Sequence, residues 1–172
     1  MMPATPLTLT PSQTVGPFLH IALADPALRF AVASDAPDAI HITGRLTDGG
    51  GAPIPDGLIE TWQADGLFAR CPTDADGHYE VFTRKPPAVP TVDGTPQAPH
   101  VSVSVFSRGL LDRVVTRIYF PEDTAANEAD PTLRAVSAER RHLLIATADR
   151  STEYRFDIRL QGDGEESVFL AI

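Results

Sequence analysis

Val101-Ser102-Val103-Ser104-Val105-Phe106 alternates apolar and polar side chains from Val101 to Val105. Successive side chains of a strand point to opposite faces, so Val101, Val103 and Val105 share one face and Ser102 and Ser104 the other. Such a segment reads as a strand lying on a core. It decides the fold class because the same alternation returns on both sides of it. Upstream it runs through Ile40-His41-Ile42-Thr43, Leu58-Ile59-Glu60-Thr61-Trp62 and Tyr79-Glu80-Val81-Phe82. Downstream it runs through Arg117-Ile118-Tyr119-Phe120 and Tyr154-Arg155-Phe156-Asp157-Ile158-Arg159-Leu160, and Ser167-Val168-Phe169-Leu170 reads as a last strand. Asp-Gly pairs punctuate these runs at Asp48-Gly49, Asp56-Gly57, Asp65-Gly66, Asp76-Gly77, Asp93-Gly94 and Asp163-Gly164. Glycine accepts a positive φ and aspartate does so in part, which favours tight hairpin turns. Short strands with such turns predict an all-β domain, a β-sandwich of mostly antiparallel strands.

Two stretches depart from the pattern. Asp130-Pro131 is a helix start, with Asp able to cap free N–H groups and Pro suited to the first helical position. One short helix is therefore expected over Thr132 to Leu144. Residues 1–39 are Pro-rich and poorly periodic and read as an N-terminal arm resting on the domain or on a partner chain, with residues 40–172 forming the sandwich.

A chain of 172 residues fits one domain with a real core. Its net charge of −9 disfavours nucleic acid and anionic lipid as partners. The single cysteine, Cys71, can make no internal disulfide and sits in a turn-like stretch, Arg70-Cys71-Pro72. The N-terminus lacks a basic and an apolar signal region, and no run approaches the ~20 apolar residues of a membrane span. A cytoplasmic protein is the simplest reading.

Most chemistry-bearing motifs are missing. Asp74-Ala75-Asp76-Gly77-His78 has its glycine too early for a calcium loop and reads as a turn. There is no phosphate loop, nucleophile elbow or Cys pair. Of the histidines His20, His41, His78, His100 and His142, none forms a His-x-His pair on a strand; the nearest candidate is His100-Val101-Ser102.

Four motifs in order resemble those of the intradiol aromatic-ring dioxygenases. Leu58-Ile59-Glu60-Thr61-Trp62-Gln63-Ala64-Asp65 resembles an E-x-W-Q-A signature, and Thr73-Asp74-Ala75-Asp76-Gly77-His78-Tyr79 a T-D-x-x-G-x-Y hairpin. Gln97-Ala98-Pro99-His100-Val101-Ser102 stands in the place of R-P-A-H-I-H-F, and Thr116-Arg117-Ile118-Tyr119-Phe120 in that of T-Q-L-Y-F. Glu60, Trp62 and Gln63 are expected to serve the fold and not catalysis.

The resemblance implies an Fe(III) held by two tyrosinates and two histidines, anionic oxygens being suited to a hard cation. Here the loop Asp65-Gly66-Leu67-Phe68-Ala69-Arg70 has no tyrosine, Val89 in Lys85-Pro86-Pro87-Ala88-Val89-Pro90 replaces the second, and Ser102 replaces the second histidine. Only His100 remains, while Tyr79, Tyr119 and Tyr154 lie at packing positions. The chain is thus expected to bind no metal by itself and to contribute no catalytic residue.

A narrower resemblance is to the iron-free, alpha-type subunits of two-chain members of the family. It is carried by Thr10-Pro11-Ser12-Gln13-Thr14-Val15-Gly16-Pro17-Phe18, by Val105-Phe106-Ser107-Arg108-Gly109 and by the ending Tyr154-Arg155-Phe156-Asp157-Ile158-Arg159-Leu160-Gln161-Gly162. It implies a beta-type partner subunit that holds the Fe(III), with protocatechuate (3,4-dihydroxybenzoate) and O2 meeting at a shared site in a step of aromatic catabolism. Thr14, Gly16, Pro17 and Arg108 would then line the substrate site, Arg108 facing the substrate carboxylate. The alternatives are a homomeric dioxygenase acting on another catechol and a non-enzymatic β-sandwich binding module.

Overall fold

The alternating segments pair into two main sheets that share one core. The computed structural model describes residues 9–90, 94–162 and 166–171. In chain order come α1 (Pro17–Leu23), a 3-10 turn (Pro26–Arg29), β1 (Ala39–Thr47), β2 (Leu58–Trp62), β3 (Phe68–Pro72) and β4 (His78–Arg84). Then follow β5 (Val89–Pro90), β6 (Pro96–Gln97), β7 (His100–Phe106), β8 (Val114–Tyr119), α2 (Thr124–Ala129) and α3 (Pro131–Ala135). A 3-10 turn (Arg141–Leu144) leads to β9 (Thr147–Arg150), β10 (Glu153–Arg155) and β11 (Ile158–Arg159).

One sheet runs β3-β2-β7-β8, all antiparallel. In the other, β1 pairs antiparallel with β4 and parallel with β10 and β11, and β9 pairs with β10. Ile40, Ile42, Leu46 and Val81 of one sheet and Ile59, Val101, Val103, Val105 and Ile118 of the other fill the space between them. A second, smaller core of Ala98, Tyr119, Leu133 and Leu144 joins β8 to α3 and the 3-10 turn after it.

Gly44 allows the close packing around Tyr79. A Cβ at position 44 would stand 1.9 Å from the Phe156 carbonyl oxygen, which accepts the buried Tyr79 hydroxyl at 2.5 Å. The absence of a side chain lets strand and phenol meet.

Several expectations are revised. Cys71 is not in a turn: it is buried in β3, whose pairing with β2 makes Phe68 to Arg70 strand instead of loop. The turn at Asp65-Gly66 closes that hairpin, with Gly66 at φ +89°. The Asp76-Gly77 turn is tight, with Gly77 at φ +77°, but it carries the chain from β3 in one sheet to β4 in the other and closes no two-strand ladder. At Asp48 the positive φ falls on Gly51, and Gly57 has no positive φ. Asp93 and Asp163-Gly164 lie outside the described residues.

Tyr154 to Leu160 is split between β10 and β11, and residues 167–170 form no strand, although Leu170 N donates to Val115 O at 2.8 Å. The expected helix over Thr132 to Leu144 stops at Ala135. There Arg141 folds back, donating from Nε to Val136 O at 3.0 Å and from Nη2 to Arg134 O at 3.3 Å, so the carbonyls at the helix end are satisfied without another turn. Two further short helices were not expected: α2, and α1 within the arm. The rest of the arm leans on β4: Ala31 N donates to Phe82 O at 2.9 Å, the Phe30 and Phe82 rings stack at 4.9 Å, and Arg29 pairs with Glu80.

Candidate functional site

The residues singled out above fall in two places. The first is where the arm meets the loop after β7. Gly109 takes φ +88° there, and its N–H donates to Thr14 Oγ1 at 2.8 Å. Ser12 Oγ donates to Asp112 Oδ1 at 3.3 Å on the same loop. Thr14 and the Arg108–Gly109 segment are thereby brought together. Gly16 and Pro17 follow directly, Pro17 opening α1, where its missing N–H costs nothing. Arg108 is 66% exposed and its Nε is paired with the Asp56 carboxylate. Two open clefts of about 520 and 680 Å³, lined by residues such as Arg29, Glu80 and Asp149, and Arg45, His142 and Asp157, contain none of these four residues.

The second place is the outer face of the β7-β8 pair. His100 and Ser102 point away from the main core, opposite Tyr119 and Arg117 respectively. On one side Val89 of β5 pairs with Gln97 of β6. On the other stands Asp130, fully buried at the start of α3. Its carboxylate accepts from Thr132 N at 2.8 Å, Leu133 N at 2.9 Å, Ala98 N at 2.9 Å and the Tyr119 hydroxyl at 3.1 Å. Arg117 Nη1 donates to Gln97 Oε1 at 3.0 Å, Thr132 Oγ1 at 3.1 Å and the Tyr119 oxygen at 3.2 Å.

Ferric iron does not fit these side chains. The His100 Nδ1–H donates to Ala98 O at 2.8 Å, leaving only Nε2 with a lone pair. Burial holds the imidazole below its ordinary pKa, and the nearby Arg117 charge adds to that against the Ala98 hydrogen bond. Tyr119 is no phenolate: burial above all, and Asp130 beside it, push its pKa up to about 12 although Arg117 pulls the other way. Ser102 and Val89 offer no anionic donor, and among the described residues no cluster of three metal-ligating side chains forms. A single neutral imidazole beside a guanidinium cannot hold a trivalent cation.

Other residues serve the fold. Gln63 is buried, donating from Nε2 to Arg84 O at 2.9 Å and accepting from Thr83 Oγ1, and Glu60 pairs with Arg70 at 2.6 Å. Trp62 stays 51% exposed against Phe68. Sequence reasoning missed Arg117 and Asp130 as the organisers of this face. The signal for Arg117 is visible in retrospect: an arginine stands where the T-Q-L-Y-F strand has glutamine. Asp130 was read only as a helix cap.

The fold is thus a two-sheet β-sandwich that carries His100 and Ser102 on one outer face of β7. Residues 18–162 match the family model described as Dioxygenase, and the chain belongs to that family. It is 37% identical to a protocatechuate 3,4-dioxygenase alpha chain of Pseudomonas putida, over 98% of this chain and 99% of that one. It is 32% identical to a protocatechuate 3,4-dioxygenase beta chain of Burkholderia cepacia, over 73% of this chain and 65% of that one. Among solved structures, an intradiol ring-cleavage dioxygenase of Tetranychus urticae superposes with a TM-score of 0.62 at 15% identity, covering 79% of this chain and 88% of that one. The last shows the shared fold alone.

Proposed function

We propose that this chain is the iron-free alpha subunit of a protocatechuate 3,4-dioxygenase, a cytoplasmic enzyme that with its beta subunit converts 3,4-dihydroxybenzoate and O2 into 3-carboxy-cis,cis-muconate. The observation that carries this reading is the likeness to alpha chains over nearly the whole length, beside a β7-β8 face whose side chains include no phenolate and one imidazole. The beta subunit holds the Fe(III), which binds the catecholate as a Lewis acid. This chain supplies walls of the shared site and assembly surface. Residues 1–39 act as the arm that reaches pocket and interface, and residues 40–172 as the sandwich domain.

In this reading Thr14, Gly16 and Pro17 line the substrate. The bond from Gly109 N to Thr14 fixes the arm beside Arg108, whose guanidinium attracts the carboxylate of protocatechuate. The Asp56 pair holds Arg108 until that carboxylate competes for it. Arg108→Ala is expected to raise KM about tenfold or more with a smaller change in kcat, as loss of one charge-assisted contact predicts. An unchanged KM would remove Arg108 from the site.

The reading itself is tested by co-expressing this chain with a beta chain, then measuring O2 uptake with protocatechuate and iron per αβ pair. One iron per pair and activity only in the complex are expected. Stoichiometric iron on this chain purified alone, or no complex at all, refutes it.

A further inference from the structure

Arg117 has no role in the function just proposed, yet it occupies a telling position. Ser102 and Arg117 are directly opposed across β7 and β8, with His100 and Tyr119 as the next opposed pair on the same face. Directly opposed side chains on one sheet face start roughly 5 Å apart at Cβ. A cation gripped at positions 100 and 102 would therefore sit against the guanidinium. That guanidinium is not a mobile surface group. Gln97, Thr132 and Tyr119 hold its Nη1, and all three acceptors are neutral. Its Nε is buried without a hydrogen-bond acceptor among the described residues. The positive charge is fixed in place by neutral acceptors, and its nearest countercharge, the Asp130 carboxylate, is held one hydrogen bond away on the far side of the Tyr119 hydroxyl.

The departures from the family motifs place the charge similarly. Gln97 stands where R-P-A-H-I-H-F has its arginine, Arg117 where T-Q-L-Y-F has its glutamine, and the two side chains meet at 3.0 Å. This face has one guanidinium, carried on the strand opposite Ser102.

We infer that Arg117 is a metal-excluding residue: its fixed cation bars metal ions from the His100–Ser102 face, separately from the loss of the ligands themselves. Missing donors leave a site indifferent to metal, whereas a held positive charge makes it repellent even if donors are returned. This concerns the chain alone and stands whether or not the alpha-subunit reading does.

The test returns one donor and varies the charge. Ser102→His restores a His-x-His pair on β7, with His100 Nε2 free to bind. Titration of ZnCl2 by calorimetry into the untagged chain should give weak binding for Ser102→His alone. For Ser102→His with Arg117→Gln, one zinc should bind at least tenfold more tightly. Arg117→Met in the same background is the second neutral variant, chosen because its straight stem retains packing, and it should follow Arg117→Gln. Arg117→Lys, which keeps the charge and loses the planar fork, should stay as weak as the arginine. Circular dichroism and Tm establish folding for each variant. Equal zinc affinity in the charged and neutral backgrounds overturns the inference. So does failure of both neutral variants to fold, which would make Arg117 a support of the fold and not a barrier to metal.

Discussion

His100 and Tyr119 face each other with ring centroids 5.4 Å apart, and their environment favours the uncharged form of both. This makes the stability of the chain depend on pH at both ends. His100 has a folded pKa below its ordinary value of 6.5, from burial first and the Arg117 charge after it. The unfolded chain then binds the proton better, so this part of the stability is complete above about pH 6.5 and falls as pH drops through it. Tyr119 has its pKa raised from 10.0 to about 12, again chiefly by burial. The folded phenol resists ionisation, so this contribution is complete below about pH 10 and is lost as pH rises from there towards 12. Urea denaturation across pH is expected to show both declines. His100→Asn should flatten the upper part of the acid limb, the lower part belonging to Asp74 and Glu122, whose carboxyl pKa values are held down in the fold, and Tyr119→Phe should flatten part of the alkaline one. Buried Tyr79 and Tyr154 have pKa values shifted the same way, so the rest of the alkaline limb should survive Tyr119→Phe. An acid limb unaltered by His100→Asn would show that the imidazole titrates as it does in water.

Between the elements, Asp130 is the joint. One carboxylate caps α3 through Thr132 N and Leu133 N, ties down Ala98 N before β7, and accepts the Tyr119 hydroxyl from β8. Loss of a cap costs about 1 kcal/mol, and buried donors left without a partner cost about 1–3 kcal/mol more. Asp130→Ala should therefore destabilise the chain by roughly 3 kcal/mol or more, measured as a drop in denaturant midpoint. A loss under about 1 kcal/mol would mean water replaces the carboxylate.

The sequence announced the cap at Asp130-Pro131 but not the carboxylate's two other duties, because those partners are 11 and 32 residues away along the chain. The same distinction separates what was legible elsewhere. β1, β2, β4, β7 and β8 show as alternation because each has one face in the core. β3 was hidden because Cys71 and Ala69 are its only core-facing side chains and Pro72 ends it. The parallel pairing of β1 with β10 and β11, over a hundred residues downstream, leaves no local trace. At the site, the departures from the family motifs at Val89 and Ser102 could be read position by position. The guanidinium opposite Ser102 needed the register of β7 and β8.

At the scale of the whole molecule, the arm brings exposed apolar side chains close in sequence to the positions proposed to line the substrate. Phe18 is 77% and Ile21 73% exposed, three residues apart and so on one side of α1. Leu9 precedes them, and Leu111 is exposed on the loop that Ser12 bonds through Asp112. Large apolar groups left in water on a short helix mark a surface that another protein covers. In the proposed complex that protein is the beta subunit. Covering a phenylalanine and an isoleucine is worth about 1.5–3 kcal/mol each. Phe18→Ser with Ile21→Ser should thus weaken the αβ complex by a factor of about a hundred or more, since each 1.4 kcal/mol is tenfold. The Tm of the isolated chain should hardly move, because neither side chain belongs to either core. Sedimentation of the mixed chains reads the first quantity and calorimetry the second. Undiminished association would place the partner on another face of the sandwich. A large fall in Tm would instead mean that α1 supports the domain itself.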